Sequence, residues 1–343
     1  MRYRVALIAL AVAAALFPLP QDFVERHYAR GWYLVIQSVL TPLSNLLPIA
    51  VLDLLAGAVL LTGIVIAVRT VRVKGARAAV KRMAAGSLTA AAAAYLVFLA
   101  TWGLNYQRVP LEQKLAFEPA RLDADAAGRL AAIAVRRANE GYSAAHATAL
   151  RIDAIEAAFV DAQQILGAPR FAEPGRGKRS LLQFYFRWTA INGMTVPGFL
   201  EVILNPDLLP HELPFTVAHE WAHLAGYANE SEANFVAWLA CVRSPDPLMQ
   251  YSGWLETYGL ALQGVPRAAR SSLPGLDEGP RRDLRAIADR LARASPRASA
   301  AARGAYDSYL KANRVEEGIR SYDAALRLML GTTFLDNWKP VVR

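Results

Sequence analysis

The chain has 343 residues, enough for one sizeable soluble domain plus several membrane spans. Hydrophobic residues make up 54% of it and crowd the region before residue 104, while a single cysteine, Cys241, excludes an internal disulfide framework. The net charge of +9 raises the question of nucleic acid, but the basic residues sit between hydrophobic runs or along amphipathic helices with no recognisable nucleic-acid module, which argues against such a partner.

After Arg2 and Arg4, residues 5–19 form a short apolar run ending at Pro18 and Pro20. It reads as a first transmembrane helix or a signal peptide; no clean cleavage site follows, which favours a retained helix. Residues 21–45 carry Tyr28, Trp32 and Tyr33 beside charges, the pattern of an interfacial segment lying along the outer surface. Residues 47–68 are long enough to cross, and 83–102 cross back to an aromatic belt at Trp102 and Tyr106. Between them Arg69, Arg72, Lys74, Arg77, Lys81 and Arg82 predict a cytoplasmic loop. Residues 1–106 thus read as a membrane domain of three helices in contact with the lipid bilayer. Residues 107–343 follow as a second domain outside the cytoplasm. Asp53, near the start of the second span, suits capping or snorkelling at the interface better than a role inside the membrane.

Residues 121–166 are helical in pattern, with a break expected at Gly141 and a stop at Gly167 and Pro169, followed by a loop over 173–180. Leu182, Phe184, Phe186 and Trp188 then alternate with polar neighbours, Asn192-Gly193 is a turn signal, and 195–204 is extended. Together these predict a small antiparallel sheet. A loop holding His211, expected to be exposed, leads to Pro214, which suits the first turn of the next helix. Further helices are expected over 248–262, 281–293, 302–312 and 316–330. The fold class is mainly α, of α+β type.

The densest cluster of metal-ligating residues lies in FTVAHEWAHLAGYANESEANFVAWLAC, residues 215–241. His219, Glu220 and His223 spell HExxH in a run without helix breakers. Two histidines four apart share one helical face and can grip one Zn²⁺, while Glu220 beside them is placed to act on water as a general base. A catalytic zinc usually takes three protein ligands and keeps a fourth position open. The remaining histidines, His27, His146 and His211, are poorly placed to be the third. Gly226 ends the motif helix and Asn229 can cap a second one, on which Glu230 and Glu232 compete at about 200° apart around the axis. Glu232 suits a capping box with Asn229, whereas Glu230 shares a face with Asn234, which could orient a ligating histidine. Glu230 is favoured. Cys241 lies too far along that helix to join the site and reads as a buried thiol.

HExxH followed by Glu230-Ser-Glu-Ala-Asn234 resembles the gluzincin metallopeptidases, with Asn where many members have Asp. The resemblance implies Glu230 as the third zinc ligand. The metzincin pattern fails, because Asn229 stands where its third histidine belongs. A longer pattern, WGLNYQRVPL near Trp102, the motif region, and RSYDAALRLML, is similar to an uncharacterised family of bacterial membrane proteins known only as a domain of unknown function. That similarity implies N-terminal spans followed by a zincin-like domain, and places the chain in the bacterial inner membrane.

The expected activity is that of a zinc metallopeptidase cleaving peptide or protein substrates outside the cytoplasm, with Glu220 as base. Residues 195–204 could accept a peptide as an added strand, or be plain structural strand. Arg320 and Tyr322 are candidate oxyanion donors. The competing class is a non-catalytic, zinc-containing sensor or cell-envelope scaffold. Against it, Glu220 is a carboxylate that a structural site has no need of. Nothing in the sequence sets an oligomeric state.

Overall fold

The computed structural model describes residues 2–315 and 324–343. Two helices, Val51–Lys74 and Ala76–Thr101, are long and apolar enough to cross a bilayer, which marks the chain as a membrane protein. Leu54, Leu60, Leu61 and Val97 stand exposed on them, an arrangement that lipid favours and water opposes. The expected basic loop is not a loop. Helical structure continues through Arg69, Arg72 and Lys74 and resumes at Ala76, leaving Gly75, at φ +78°, as the whole break. Long basic side chains can carry their charge away from a helix end, so charge alone does not stop a helix; a residue that tolerates positive φ does.

The N-terminal helices Arg2–Leu16 and Gln21–Asn45 are bent by 110° relative to each other. The second was expected along the outer surface, and instead it divides its faces. Val24, Tyr28, Tyr33 and Leu34 are buried in the main core, while Trp32, Val35, Val39 and Leu43 remain exposed. One apolar side thus meets the protein core, and a second apolar set stays on the surface.

Helix Ala124–His146 runs straight through Gly141, and the break falls after His146 rather than at the glycine. One glycine costs a helix about 1 kcal/mol, which packing against Pro247–Gly264 readily offsets. Helix Ile152–Ile165 packs on Glu230–Arg243, and Phe159, Trp221, Phe235, Trp238 and Trp254 are buried in the same core. Later helices run Glu278–Ala292, Pro296–Ala312 and Ala324–Gly331, and the rest of the helix expected over 316–330 lies outside the described residues.

The sheet departs most from expectation. The alternating stretch is a helix, Gln183–Thr189, not a strand. Residues four apart share a side in either geometry, so Leu182 pairs with Phe186 and Phe184 with Trp188; a strand would put all four on one face, whereas the helix sets the two pairs on opposite sides. Local hydrogen bonds decide. Asp53 accepts the Leu181 backbone N–H at 2.8 Å and the Ser180 hydroxyl at 2.9 Å, and Ser180 Oγ accepts the Leu182 N–H. Phe186 is then buried, Phe184 and Trp188 are exposed, and Ala190 ends the helix in the left-handed region. Asp53 therefore holds the turn that leads into this helix.

Strands β2 (Gly193–Val196) and β3 (Glu201–Leu204) form the antiparallel hairpin, with Thr195 opposite Val202 and the turn at 197–200 rather than at Asn192-Gly193. Strand β1 (Gly177–Lys178), expected as loop, pairs parallel with β3, so the sheet is mixed, in the order β1-β3-β2. A small second sheet joins β4 (Phe334–Leu335) to β5 (Lys339–Pro340). Lys178 and Glu201 form a fully buried ion pair at 2.8 Å, and Glu201 also accepts the Val51 and Leu52 N–H groups at 2.8 and 2.9 Å. A carboxylate at a helix N-terminus is electrostatically favoured, so β3 is fastened directly to the start of a membrane span.

Candidate metal centre

The motif helix is Leu213–Leu224, with Pro214 in its first turn. It ends in a Schellman arrangement: the Gly226 N–H donates to the His223 carbonyl at 2.9 Å and the Tyr227 N–H to the Ala222 carbonyl at 3.1 Å, with Gly226 at φ +83°. Two more terminal contacts come from far away in sequence. The Tyr33 hydroxyl donates to the Leu224 carbonyl at 2.8 Å and the Trp102 indole N–H to the His223 carbonyl at 3.2 Å. The helix carrying HExxH is therefore held by the N-terminal segment and by the end of a span.

The chain reverses at Gly226 and enters helix Glu230–Arg243, whose Asn229 cap accepts the Ser231 N–H. This brings Glu230 back over the two histidines. His219 Nε2 lies 3.2 Å from Glu230 Oε2 and His223 Nε2 lies 3.6 Å from Glu230 Oε1. Donor atoms about 2.0–2.2 Å from one tetrahedral ion stand roughly 3.3 Å apart, so these spacings suit a small divalent cation. His223 Nδ1 is 2.8 Å from the Tyr227 carbonyl, which can only accept, so Nδ1 carries the proton and Nε2 turns its lone pair toward the carboxylate. Two acceptors facing one another need a cation or a proton between them, and His219, His223 and Glu230 fit a metal on that ground.

Electrostatics within the protein agree. Burial raises the cost of ionising Glu230, but the adjacent His223 and His219 outweigh it and hold its carboxyl well below the usual range. Burial likewise opposes charging His223, yet Glu230 foremost, then Glu220 and the Tyr227 carbonyl, push it up to about 9. The cluster is thus built to hold positive charge next to an ionised carboxylate.

Glu220 stands beside this set without joining it. Its Oε2 accepts the Thr195 hydroxyl at 2.8 Å, and burial, moderated by His219 and His223, raises its pKa. A Cβ on Gly193 would lie 2.6 Å from Glu220 Oε1, so β2 can pass this close to the carboxylate only because residue 193 has no side chain. The sequence marks Gly193 only as part of a turn, which the structure moves to 197–200, and its contact with Glu220 has no signal there.

Glu232 is neither ligand nor capping box. Its Oε1 accepts the Leu111 backbone N–H at 2.5 Å, with the Arg108 guanidinium near enough to favour its ionised form against the burial that raises its pKa. Arg108 also donates to the Gly226 carbonyl at 3.0 Å and covers the Tyr227 ring, so this cluster braces the turn from outside the site. Asn234 is buried and makes no hydrogen bond to either histidine; the Tyr227 carbonyl orients His223 instead.

Arg320 and Tyr322 lie outside the described residues. The hydroxyl that does reach the cluster is that of Tyr306, from helix Pro296–Ala312, which donates to Glu230 Oε1. Tyr306 stacks on Tyr309, and this pair, three apart on an alanine-rich helix, was the available sequence signal. His211 is buried rather than exposed, and His146 lies beside it, away from the HExxH pair; His27 packs against Phe23.

Residues 28–330 match the family model described as a protein of unknown function (DUF3810), and the chain belongs to that family. No curated protein and no solved structure matches it.

Proposed function

We propose that this protein is a membrane-anchored zinc metallopeptidase that hydrolyses peptide bonds on the extracytoplasmic side. The observation that carries the reading is the convergence of His219, His223 and Glu230 with a buried carboxylate, Glu220, held alongside but left out of the ligand set. Zinc held by His219 Nε2, His223 Nε2 and the Glu230 carboxylate would make water a nucleophile near neutral pH and polarise a substrate carbonyl.

The chain's own residues supply the remainder. Glu220 accepts the proton of the attacking water and returns it to the leaving amine, and burial raises its proton affinity toward that task. The Thr195 hydroxyl fixes the Glu220 carboxylate through one hydrogen bond, at 2.8 Å to Oε2. The Tyr227 carbonyl fixes the tautomer of His223. Strand β2 is an edge of its sheet and touches Glu220, which supports docking of an extended peptide along it. Tyr306, already donating to Glu230, is the described side chain best placed to serve the developing oxyanion.

The test compares the purified protein with Glu220→Gln for bound zinc and for cleavage of a denatured-protein library. Zinc in both, with cleavage reduced about 10²–10⁴-fold in the variant, is the expected result. A parent without zinc, or cleavage that survives both chelation and the substitution, overturns the reading.

A further inference from the structure

Three residues from separate elements meet apart from the HExxH cluster. His146 ends helix Ala124–His146, His211 lies two residues before the motif helix, and Asp283 sits in helix Glu278–Ala292. His146 Nε2 is 3.2 Å and His211 Nδ1 3.9 Å from the same Asp283 Oδ2.

Hydrogen bonding within the protein leaves this group incomplete. His146 Nδ1 is 3.0 Å from the Tyr142 carbonyl, so that nitrogen holds the ring's proton and Nε2 turns a lone pair toward a carboxylate. His211 is 7% exposed, and its Nδ1 faces Asp283 from beyond hydrogen-bond length. The Tyr251 hydroxyl donates to Asp283 Oδ2 at 2.6 Å and orients the carboxylate as an outer partner does at a metal site.

We propose that His146, His211 and Asp283 form a second metal site, for a zinc-class divalent ion, which fastens the lead-in of the motif helix to helices Ala124–His146 and Glu278–Ala292. Two imidazoles and one carboxylate are a donor set suited to such an ion, and the separations of 3.2 and 3.9 Å bracket the tetrahedral value of roughly 3.3 Å. The side chain of His146 is 37% exposed, which gives the ion a way in and leaves a coordination position for water. Bound there, the ion ties the segment immediately before His219 to two helices that contribute nothing to the first cluster. Its role is to stiffen the entry to the motif helix.

The test uses the full chain in detergent, dialysed against micromolar zinc and assayed for metal equivalents and melting temperature. The parent is expected to hold two equivalents and His146→Ala one. In a His219→Gln/His223→Gln background one equivalent should remain, should raise the melting temperature, and should vanish with its thermal effect when His146→Ala is added. His146 is exposed, so its replacement is expected to leave the metal-free melting temperature near the parent's. A folded His146→Ala protein that binds as much zinc as the parent overturns the second site. One equivalent that depends on His146 but not on His219 sustains this site while overturning the peptidase reading; one that depends only on His219 does the reverse.

Discussion

Two glutamates two residues apart have opposite fates, and side-chain direction alone separates them. Glu230 points back over the motif helix to His219 and His223, while Glu232 points away to the Leu111 N–H. Replacing Glu230 by Ala is expected to abolish stoichiometric zinc. Glu232→Ala should keep zinc and cost about 1–3 kcal/mol, because a buried backbone N–H loses its acceptor. Elemental analysis and denaturant unfolding of the two proteins separate these outcomes, and zinc loss confined to the Glu232 variant would reverse the assignment. Cys241 makes a third case. Burial pushes its thiol pKa up, beyond the reach of a mildly alkaline medium, so at pH 9 it should resist alkylation in the folded chain and react only after unfolding. Prompt labelling of the native protein would contradict that.

At the scale of elements, the site depends on close approach between β2 and the motif helix. Thr195 bonds Glu220 from that strand, and Gly193 leaves the carboxylate room. Gly193→Ala would drive a methyl group into Glu220 Oε1, displacing the proposed base while leaving the three proposed ligands untouched. Zinc content should be unchanged and cleavage should fall about 100-fold, the scale of a misplacement of about 1 Å. Unchanged turnover in that variant would mean that the position of Glu220 is not critical. The strand is held there because β3 is tied through Glu201 to the start of helix Val51–Lys74, and β2 pairs with β3.

For the whole molecule, the N-terminal helices pack directly on the elements after residue 106. Tyr33 and Trp102 cap the carbonyls at the end of the motif helix, and Glu201 caps a span. The basic residues flanking Gly75 are expected to face the cytoplasm and the site the opposite side. In a Cys241→Ala background, Ala76→Cys should react with an impermeant maleimide only in inverted vesicles, and Ala300→Cys only in right-side-out ones. The opposite labelling pattern would place the site in the cytoplasm. Detaching the N-terminal 106 residues should also leave the motif helix without two of its terminal hydrogen bonds, at about 0.5–1.5 kcal/mol each.

The sequence by itself determined what short-range geometry controls: the HExxH face, the turn at Gly226, the Asn229 cap, the burial of Cys241, and two long apolar helices. Each depends on residues a few positions apart, where helical period and backbone permissiveness leave few alternatives. Tertiary structure decided what those rules leave degenerate. In residues 182–188 the pairs four apart share a face in strand and helix alike, and the helix follows the turn that Asp53 holds ahead of it. Gln21–Asn45 is apolar on two sides, and packing decides which one enters the core: Val24, Tyr28, Tyr33 and Leu34 are buried while Trp32, Val35, Val39 and Leu43 stay exposed. Tyr306 reaches Glu230 across 76 residues, and His146, His211 and Asp283 meet only when three elements pack. Contacts between residues so far apart in the chain leave no periodic trace in it, because they are fixed by the packing of whole elements and not by the local path of the backbone.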